Sequence, residues 1–337
     1  MRNYFVESNE HNPWKNLAIE KHLADRVQPG DLLFYLWQNE KTVVIGRNQN
    51  ALRECRAGLL EEEGGYLARR TTGGGAVYHD LGNLCFTFIA SPERYDLERQ
   101  MKVIQIACQK FGIETEFSGR NDIITKEGYK FSGNAFSVNK KCKIQHGTLL
   151  IDVDKEKLSR YLTPSAEKMK AKGVKSVESR VCNLKDLNAD VTVEAMKQAL
   201  KEAFAEEYGE YERIGLVEDT DACTCAGSCG SGNVKICSLA TKEFQEIYDL
   251  YASWDWRYGK SPECEVVHGK RFPWGEVQVH LKLKNLYIEE CKVYSDSLDV
   301  ELPERLEKVL INQRFDMKDV ESDDEKIEEV IKWLAQE

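Results

Sequence analysis

The stretch RRTTGGGAVYHDLGN, Arg69 to Asn83, sets three consecutive glycines behind two arginines and two threonines, then runs into alternating apolar and polar residues. Alternation of period two predicts a strand after the triplet, and YLARR predicts another before it. A triplet between strands has two readings. Without β-carbons, successive backbone N–H groups approach a polyanion closely while an arginine neutralises it. Alternatively, the triplet is a bulge or a tight turn. The two familiar phosphate loops are excluded, because no G-x4-G-K-[ST] occurs and the dinucleotide fingerprint needs a helix where a strand pattern follows. A nucleotide bound here lies along a sheet.

The chain has 337 residues, and a prior of about 150 residues per domain suggests two domains. A hydrophobic content of 42% supplies real cores, and 31% charged residues keep the surface wet. No apolar run follows Arg2, and no segment reaches the roughly 18 uncharged apolar residues of a membrane span, so the expectation is a cytoplasmic protein with no membrane association. The net charge of -10 argues against nucleic-acid backbone binding, which needs a basic footprint. Eleven cysteines, an odd total with seven scattered singly, fit thiols in a reducing compartment better than a disulfide framework.

Asn12 as cap and Pro13 at the first helical position predict a helix over 12–23, with Trp14, Leu17 and Ala18 on one face. DLLFYLW and TVVIG, separated by Gln38 to Lys41, read as a hairpin whose exit is GRNQN. AVYHD and LCFTFIA are strands joined at DLGN. Leu97, Met101, Ile104, Cys108 and Phe111 recur at helical spacing after Asp96 and before Gly112. NDIIT, YKFSGNAFSV and KIQHGTLLIDV follow as strands linked by KEG and NKK. A helix capped by Thr192 and stopped by Gly209 closes an α+β unit over 1–210. Residues 211–240, rich in small polar residues, read as a Cys-rich linker or insertion. Over 241–337 a helix, a strand with Val277, Val279, Leu281 and Leu283 on one face, a second strand and two helices make a small α+β domain.

Three further elements carry chemistry when taken together. Lys130 in YKFSGNAF places a compact positive charge between a phosphate and an attacking carboxylate, although alone it reads as a surface lysine. Asn121 and Asp122 in GRNDIIT order a divalent ion or a ribose, or form a turn. His146 in QHGTLL is a site histidine or a satisfied core one.

In combination these elements resemble the bacterial lipoate-protein ligases, within the biotin and lipoate ligase fold. The glycine loop, GRNQN, GRND, KFSGNAF and HGTLL stand in the family's order. KAKGVKSVESRVCNL, Lys170 to Leu184, is similar to its adenylate-binding loop, and SWDWRYGKSP with RFPWGEVQV to the opening of its C-terminal domain. The resemblance implies a mixed, largely antiparallel sheet domain plus a small α+β accessory domain. It also implies an ATP-dependent ligase that forms lipoyl-AMP and passes the lipoyl group to a lysine of an acceptor. Lys130 is then the catalytic residue. Arg70, Gly73, Gly74, Gly75, Ala76, Val77, Tyr78, Asn83, Asn121, Asp122, Lys130, His146, Gly147 and Thr148 hold ATP or lipoyl-AMP, and Mg²⁺ screens the triphosphate. Leu17, Trp37, Arg70, Thr72, Gly75, His79 and Lys130 hold lipoate. The implied acceptors are apo lipoyl domains of 2-oxoacid dehydrogenase complexes or the glycine cleavage H protein, modified by a monomer. Lys140, Lys141 and Lys143, with Lys168, Lys170, Lys172 and Lys175, steer an acidic acceptor or form a solvated face.

Two features depart from the family pattern. Ser137 stands where some relatives carry a basic residue. Cys223, Cys225, Cys229 and Cys237 form C-x-C-x3-C-x7-C, read as a zinc or iron–sulfur site, a redox pair, or inert thiols. The rival enzyme reading is an ATP-independent octanoyl or lipoyl transferase working through a cysteine thioester, with Cys142 as the cysteine nearest the KFSGNAF motif. A lipoyltransferase using preformed lipoyl-AMP is a second. An acyl-adenylate sensor needs a DNA-reading module that the sequence does not show.

Overall fold

The computed structural model describes residues 1–118, 121–163, 181–218, 234–258, 266–284, 287–315, 317 and 320–336. Strands β1 (Arg2–Glu7), β2 (Asp31–Trp37), β6 (Asn83–Ala90), β7 (Thr115–Ser118), β8 (Asp122–Thr125), β9 (Lys130–Val138), β10 (Lys143–Leu150), β11 (Glu212–Val217) and β12 (Val234–Ser238) form one sheet in the order β12-β11-β1-β2-β6-β10-β9-β8-β7. From β2 to β7 every neighbour is antiparallel, whereas β12, β11, β1 and β2 run parallel.

Strand β2 shows why DLLFYLW has no polar face. Leu32, Phe34 and Leu36 pack under α4 (Leu97–Gln109) and α6 (Val193–Tyr208). Leu33, Tyr35 and Trp37 point the opposite way, toward α1 (Pro13–Arg26) and α7 (Lys242–Ala252). Both faces are covered, so the run is apolar throughout. The caps follow the sequence: Asn12 accepts from the Trp14 and Lys15 amides, Asp96 from Arg99 and Thr192 from Ala195.

The hairpin expected between DLLFYLW and TVVIG does not form. Both edges of β2 are taken, by β1 and by β6, so β3 (Thr42–Ile45) leaves for a second sheet of order β4-β3-β5. There β4 (Tyr66–Arg69) runs parallel and β5 (Val77–His79) antiparallel to β3, and the glycine loop spans from β4 to β5. This sheet packs on α3 (Ala57–Glu62) and α5 (Lys155–Tyr161) through Leu60, Leu67, Tyr78 and Tyr161.

Strands β11 and β12 flank residues 219–233 and pair in parallel with each other, and β11 pairs with β1. Helix α7 then packs its Phe244 and Tyr251 into the core shared with α1. The main sheet therefore extends beyond residue 210, where the sequence pattern closed it. In the last part of the chain β13 (Val266–Phe272), β14 (Gly275–Lys284) and β15 (Tyr287–Ser295) form an antiparallel sheet, with α9 (Leu302–Leu310) and α10 (Glu325–Leu334) sharing its core. Val277, Val279 and Leu281 are wholly buried on the predicted face.

Candidate functional site

A cavity of about 160 Å³ opens between the two sheets, walled by α1, β2, β5, β9, β10 and the glycine loop. Leu17, Trp37, Val44 and Val77 give it an apolar interior, while Lys130, Asn121, Gly74, Gly75, His146 and Thr148 supply its polar groups. Open depressions of about 520 and 690 Å³ lie elsewhere, the first along Phe5, Glu10 and Arg213, the second along Gln105 and Glu206. Their linings contain neither the glycine loop nor a buried histidine, so the smaller cavity, where polar groups converge on an apolar pocket, is the candidate site.

The glycine loop is shaped by the arginines before it. Arg70 is buried and donates from Nη2 to the Gly73 and Gly75 carbonyls at 2.8 Å each, from Nε to Thr72 Oγ1 at 3.1 Å, and from Nη1 to the Val44 carbonyl at 3.2 Å. Arg69 spreads over the carbonyls of Gly46, Arg47, Gln49, Trp256 and Arg257, tying GRNQN and α8 (Trp254–Tyr258) to β4. Burial lowers both guanidiniums to about 10, still charged at neutral pH. Arg70 is thus an internal brace of the loop here, with its charge beneath the glycines. Gly74 adopts φ +94°, a backbone conformation that suits only glycine without strain. Gly73 packs against residues after β15, where a β-carbon would stand 2.2 Å from the Ser297 carbonyl oxygen, and the Gly74 amide donates to that oxygen at 3.3 Å.

Lys130 begins β9 with its Nζ 2.6 Å from Asp122 Oδ1, both side chains about a third exposed (38% and 34%). Asn121 is held by a bond from its side chain to the Asn134 carbonyl at 2.8 Å. The Lys130 carbonyl accepts from the Cys182 amide at 3.0 Å, and Val181 bridges to Lys130. The last residues of the stretch likened to an adenylate loop therefore abut the lysine; residues 164–180, with Lys168, Lys170, Lys172 and Lys175, lie outside the described residues.

His146 connects the loop to α1. Its Nε2 is 2.8 Å from Thr72 Oγ1 and its Nδ1 is 2.8 Å from Glu20 Oε2, and Glu20 also accepts from Thr87 Oγ1 at 2.8 Å. Trp37 Nε1 donates to Thr87 Oγ1 at 3.0 Å. Sequence reasoning missed Glu20 and Thr87, along with Val44, Cys85, Asn134 and Ala135. The signal for Glu20 was there: it lies three positions after Leu17, so an acid occupies the helix's apolar face.

The structure brings Leu17, Trp37, Arg70, Gly74, Gly75, Ala76, Val77, His79, Asn121, Lys130, His146, Gly147 and Thr148 to one cavity. Gly73, Thr72, Tyr78, Asn83 and Asp122 are not on its wall. Tyr78 points away from Val77 and His79 and packs on Tyr161, Asn83 is fully buried with its amide on Cys85 Sγ, and Thr72 works through Arg70 and His146. Cys142 is buried and its thiol is pushed up by burial, as is the cavity-lining Cys85, which leaves neither as a ready thiolate. Cys223, Cys225 and Cys229 lie outside the described residues. Cys237 is a half-buried free thiol, and among the described residues no three metal-ligating groups gather. No described helix is long and apolar enough to cross a membrane.

An apolar pocket whose lining also includes a lysine and a glycine loop suits a class of enzyme that holds a small acid by its tail and works on its carboxyl end. Residues 12–205 match the lipoyl protein ligase A/B catalytic domain, and residues 261–334 the bacterial lipoate protein ligase C-terminus. The lipoate-protein ligase A of Psychrobacter cryohalolentis is 38% identical over 96% of this chain and 91% of its own length, and that of Blochmanniella floridana 36% over 90% and 86%. Among solved structures, P. falciparum LipL1 in complex with lipoate superimposes with a TM-score of 0.78 at 29% identity, covering 99% of this chain and 100% of that one. The bi-partite lipoate protein ligase of Thermoplasma acidophilum, studied with its E2 lipoyl domain, gives 0.61 at 25% identity over 79% and 98%. The chain belongs to the lipoate-protein ligase family and is a ligase enzyme.

Proposed function

We propose that the cavity activates lipoate with ATP to lipoyl-AMP, with release of pyrophosphate, and passes the lipoyl group to the ε-amine of a lysine on an acceptor lipoyl domain. The observation that carries this reading is Lys130. It lines the same cavity as the apolar side chains and the glycine loop, so an acid buried tail-first can present its carboxylate to Nζ. Activation must bring that carboxylate to an α-phosphorus against like charge. Lys130 Nζ bridges the carboxylate and phosphoryl oxygens as they join, and Asp122 aims the ammonium.

Beneath the loop, Arg70 adds positive charge and donates only to neutral oxygens among the described residues, while the Gly74 and Gly75 backbone gives the nucleotide a close approach. Asn121, His146, Gly147 and Thr148 complete the adenylate contacts, and Leu17, Trp37, Val77 and His79 hold the acyl tail. Asp122 is engaged by Lys130, so Mg²⁺ would be held chiefly by the substrate phosphates and water, as this ion usually is. When bound, the ion screens the triphosphate charge.

Acceptors are apo lipoyl domains of 2-oxoacid dehydrogenase complexes or the glycine cleavage H protein. The reading takes the enzyme to be a monomer, and the demand for ATP supports a cytoplasmic one. The catalytic unit takes in residues through α8, with 219–233 as an insertion between β11 and β12, and the accessory unit starts near β13. One assay tests the reading: ATP, magnesium, lipoate and an apo lipoyl domain are combined, each omitted in turn. Mass gain on the acceptor that requires ATP supports it; gain only from preformed lipoyl-AMP overturns the activation step.

A further inference from the structure

His79 ends β5 against Trp37, lines the cavity and is 3% exposed. Its two ring nitrogens differ. Nδ1 lies 3.2 Å from Asn39 Nδ2 and 3.6 Å from Cys85 Sγ, whereas the buried Nε2 has no hydrogen-bond partner among the described residues.

The position of the ring proton follows from a chain of amides. Asn16 places its side-chain nitrogen 2.9 Å from the Glu10 carbonyl oxygen and 2.7 Å from that of Gln38, and its oxygen accepts from Ser8 Oγ and Tyr35 OH. Two backbone acceptors fix that amide's orientation. Asn16 Nδ2 also lies 3.0 Å from Asn39 Oδ1, sharing one of its two hydrogens, and the reversed amide would set two NH2 groups against each other, so Asn39 turns its nitrogen, a donor, toward His79. His79 Nδ1 is therefore the acceptor and Nε2 carries the hydrogen. Burial, with Arg70 and His146 nearby, lowers its pKa to about 3, so the ring is neutral at physiological pH.

A buried N–H without a partner is costly, and such a group at a binding cavity is poised for a ligand atom. The wall around it, Leu17, Trp37, Val44 and Val77, rejects a hydrated group. The atom that fits is apolar enough to enter yet able to accept, which describes a sulfur with lone pairs and excludes a methylene.

We propose that His79 Nε2–H donates to a sulfur of the dithiolane ring, making the cavity select a sulfur-bearing medium-chain acid over the saturated straight-chain acid of equal chain length. This rests on reading the cavity as the acyl-binding end of a ligase. Cys85 and Asn39 act through His79, holding its tautomer.

The test compares lipoate with octanoate in ATP-dependent pyrophosphate release by the full chain. His79→Phe keeps an aromatic ring and removes the donor, while His79→Gln restores an N–H near the Nε2 position. The ratio of kcat/KM for lipoate over octanoate is expected to fall roughly tenfold in H79F and to return in H79Q. An unchanged ratio in H79F overturns the proposal. If H79F does not fold, ring-¹⁵N-histidine spectra of the wild-type protein decide: lipoate should shift the His79 Nε2–H signal and octanoate should leave it in place, and equal shifts overturn the proposal. Absence of wild-type turnover with either acid instead refutes the ligase reading itself.

Discussion

Arg70 Nη2 lies 2.8 Å from the carbonyl oxygen of Gly75, five residues ahead, and the same guanidinium nitrogen reaches Gly73 at the same distance. A side chain that sequence position marks as a phosphate clamp is spent on folding the loop that would receive the phosphate. Lysine keeps the charge but has no planar fork. Arg70→Lys should therefore orphan buried carbonyls and lower unfolding free energy by about 2–3 kcal/mol, with adenylate formation falling about tenfold or more as the loop loses shape. Urea unfolding and pyrophosphate release measure the two; wild-type values in both would show that Arg70 does not brace the loop.

Lys130 separates from Arg70 in its expected profile. Its ion pair with Asp122 is partly exposed, so removing it should change stability by less than about 1 kcal/mol. Lys130→Ala should nevertheless cut adenylate formation on the order of a hundredfold, the usual loss when one oriented charge stabiliser is removed. Pyrophosphate release that survives the change nearly intact would exclude Lys130 as the catalytic lysine.

The sequence singled out both residues by different routes: Arg70 through a triplet of glycines after arginines, and Lys130 through the family resemblance, since alone it reads as a surface lysine. What was not legible depends on partners far along the chain. The hairpin expected from β2 to β3 looked sound from turn length, but strand pairing is decided by which edges of β2 are free, and β6, more than forty residues later in the chain, takes one of them. Strand β11 pairs in parallel with β1 at the opposite end of the sequence, and no local pattern announces that. Glu20 belongs to the same group, because its partner His146 is 126 residues away.

That pair gives a third prediction. Glu20 and His146 are each buried, at 3% and 7% exposure, and Glu20 accepts from two side chains. Glu20→Ala leaves the His146 and Thr87 donors without their acceptor and should cost about 3–5 kcal/mol, the range for breaking a buried pair. Thermal or urea unfolding reads it, and a loss under about 1 kcal/mol would mean that water or a rearranged neighbour replaces the carboxylate.

His79 predicts an acid-sensitive fold. Its folded-state value is about 3 against 6.5 for the free side chain, so between those limits the unfolded chain binds the extra proton. Stability is then full above pH 6.5 and declines as pH falls toward 3, with a slope approaching 1.4 kcal/mol per pH unit, or about 2 kcal/mol by pH 5. His22, lowered chiefly by burial, acts in the same direction. Urea titrations at pH 7 and pH 5 should show the loss, and His79→Gln should reduce it. An equal loss in that variant would assign the acid sensitivity to other groups.

Gly73 and Gly75 stand two residues apart in the same loop yet have opposite tolerance for a side chain. A β-carbon on Gly73 would meet the Ser297 carbonyl oxygen at 2.2 Å and Leu298 Cα at 3.0 Å, both backbone atoms that cannot step aside cheaply, whereas one on Gly75 would meet nothing within 4 Å. Gly73→Ala should therefore push the stretch after β15 off the loop. That would break the Gly74-to-Ser297 bond, the bond from the Ser295 amide to the Asn48 carbonyl at 2.7 Å, and the bond from Asn48 Nδ2 to the Val300 carbonyl at 2.7 Å. A cost of about 1–3 kcal/mol is expected, with faster amide exchange at Ser295. Gly75→Ala should leave both stability and exchange close to wild type. Matching exchange rates in the two variants would mean that the contact between the glycine loop and Ser297 carries no load.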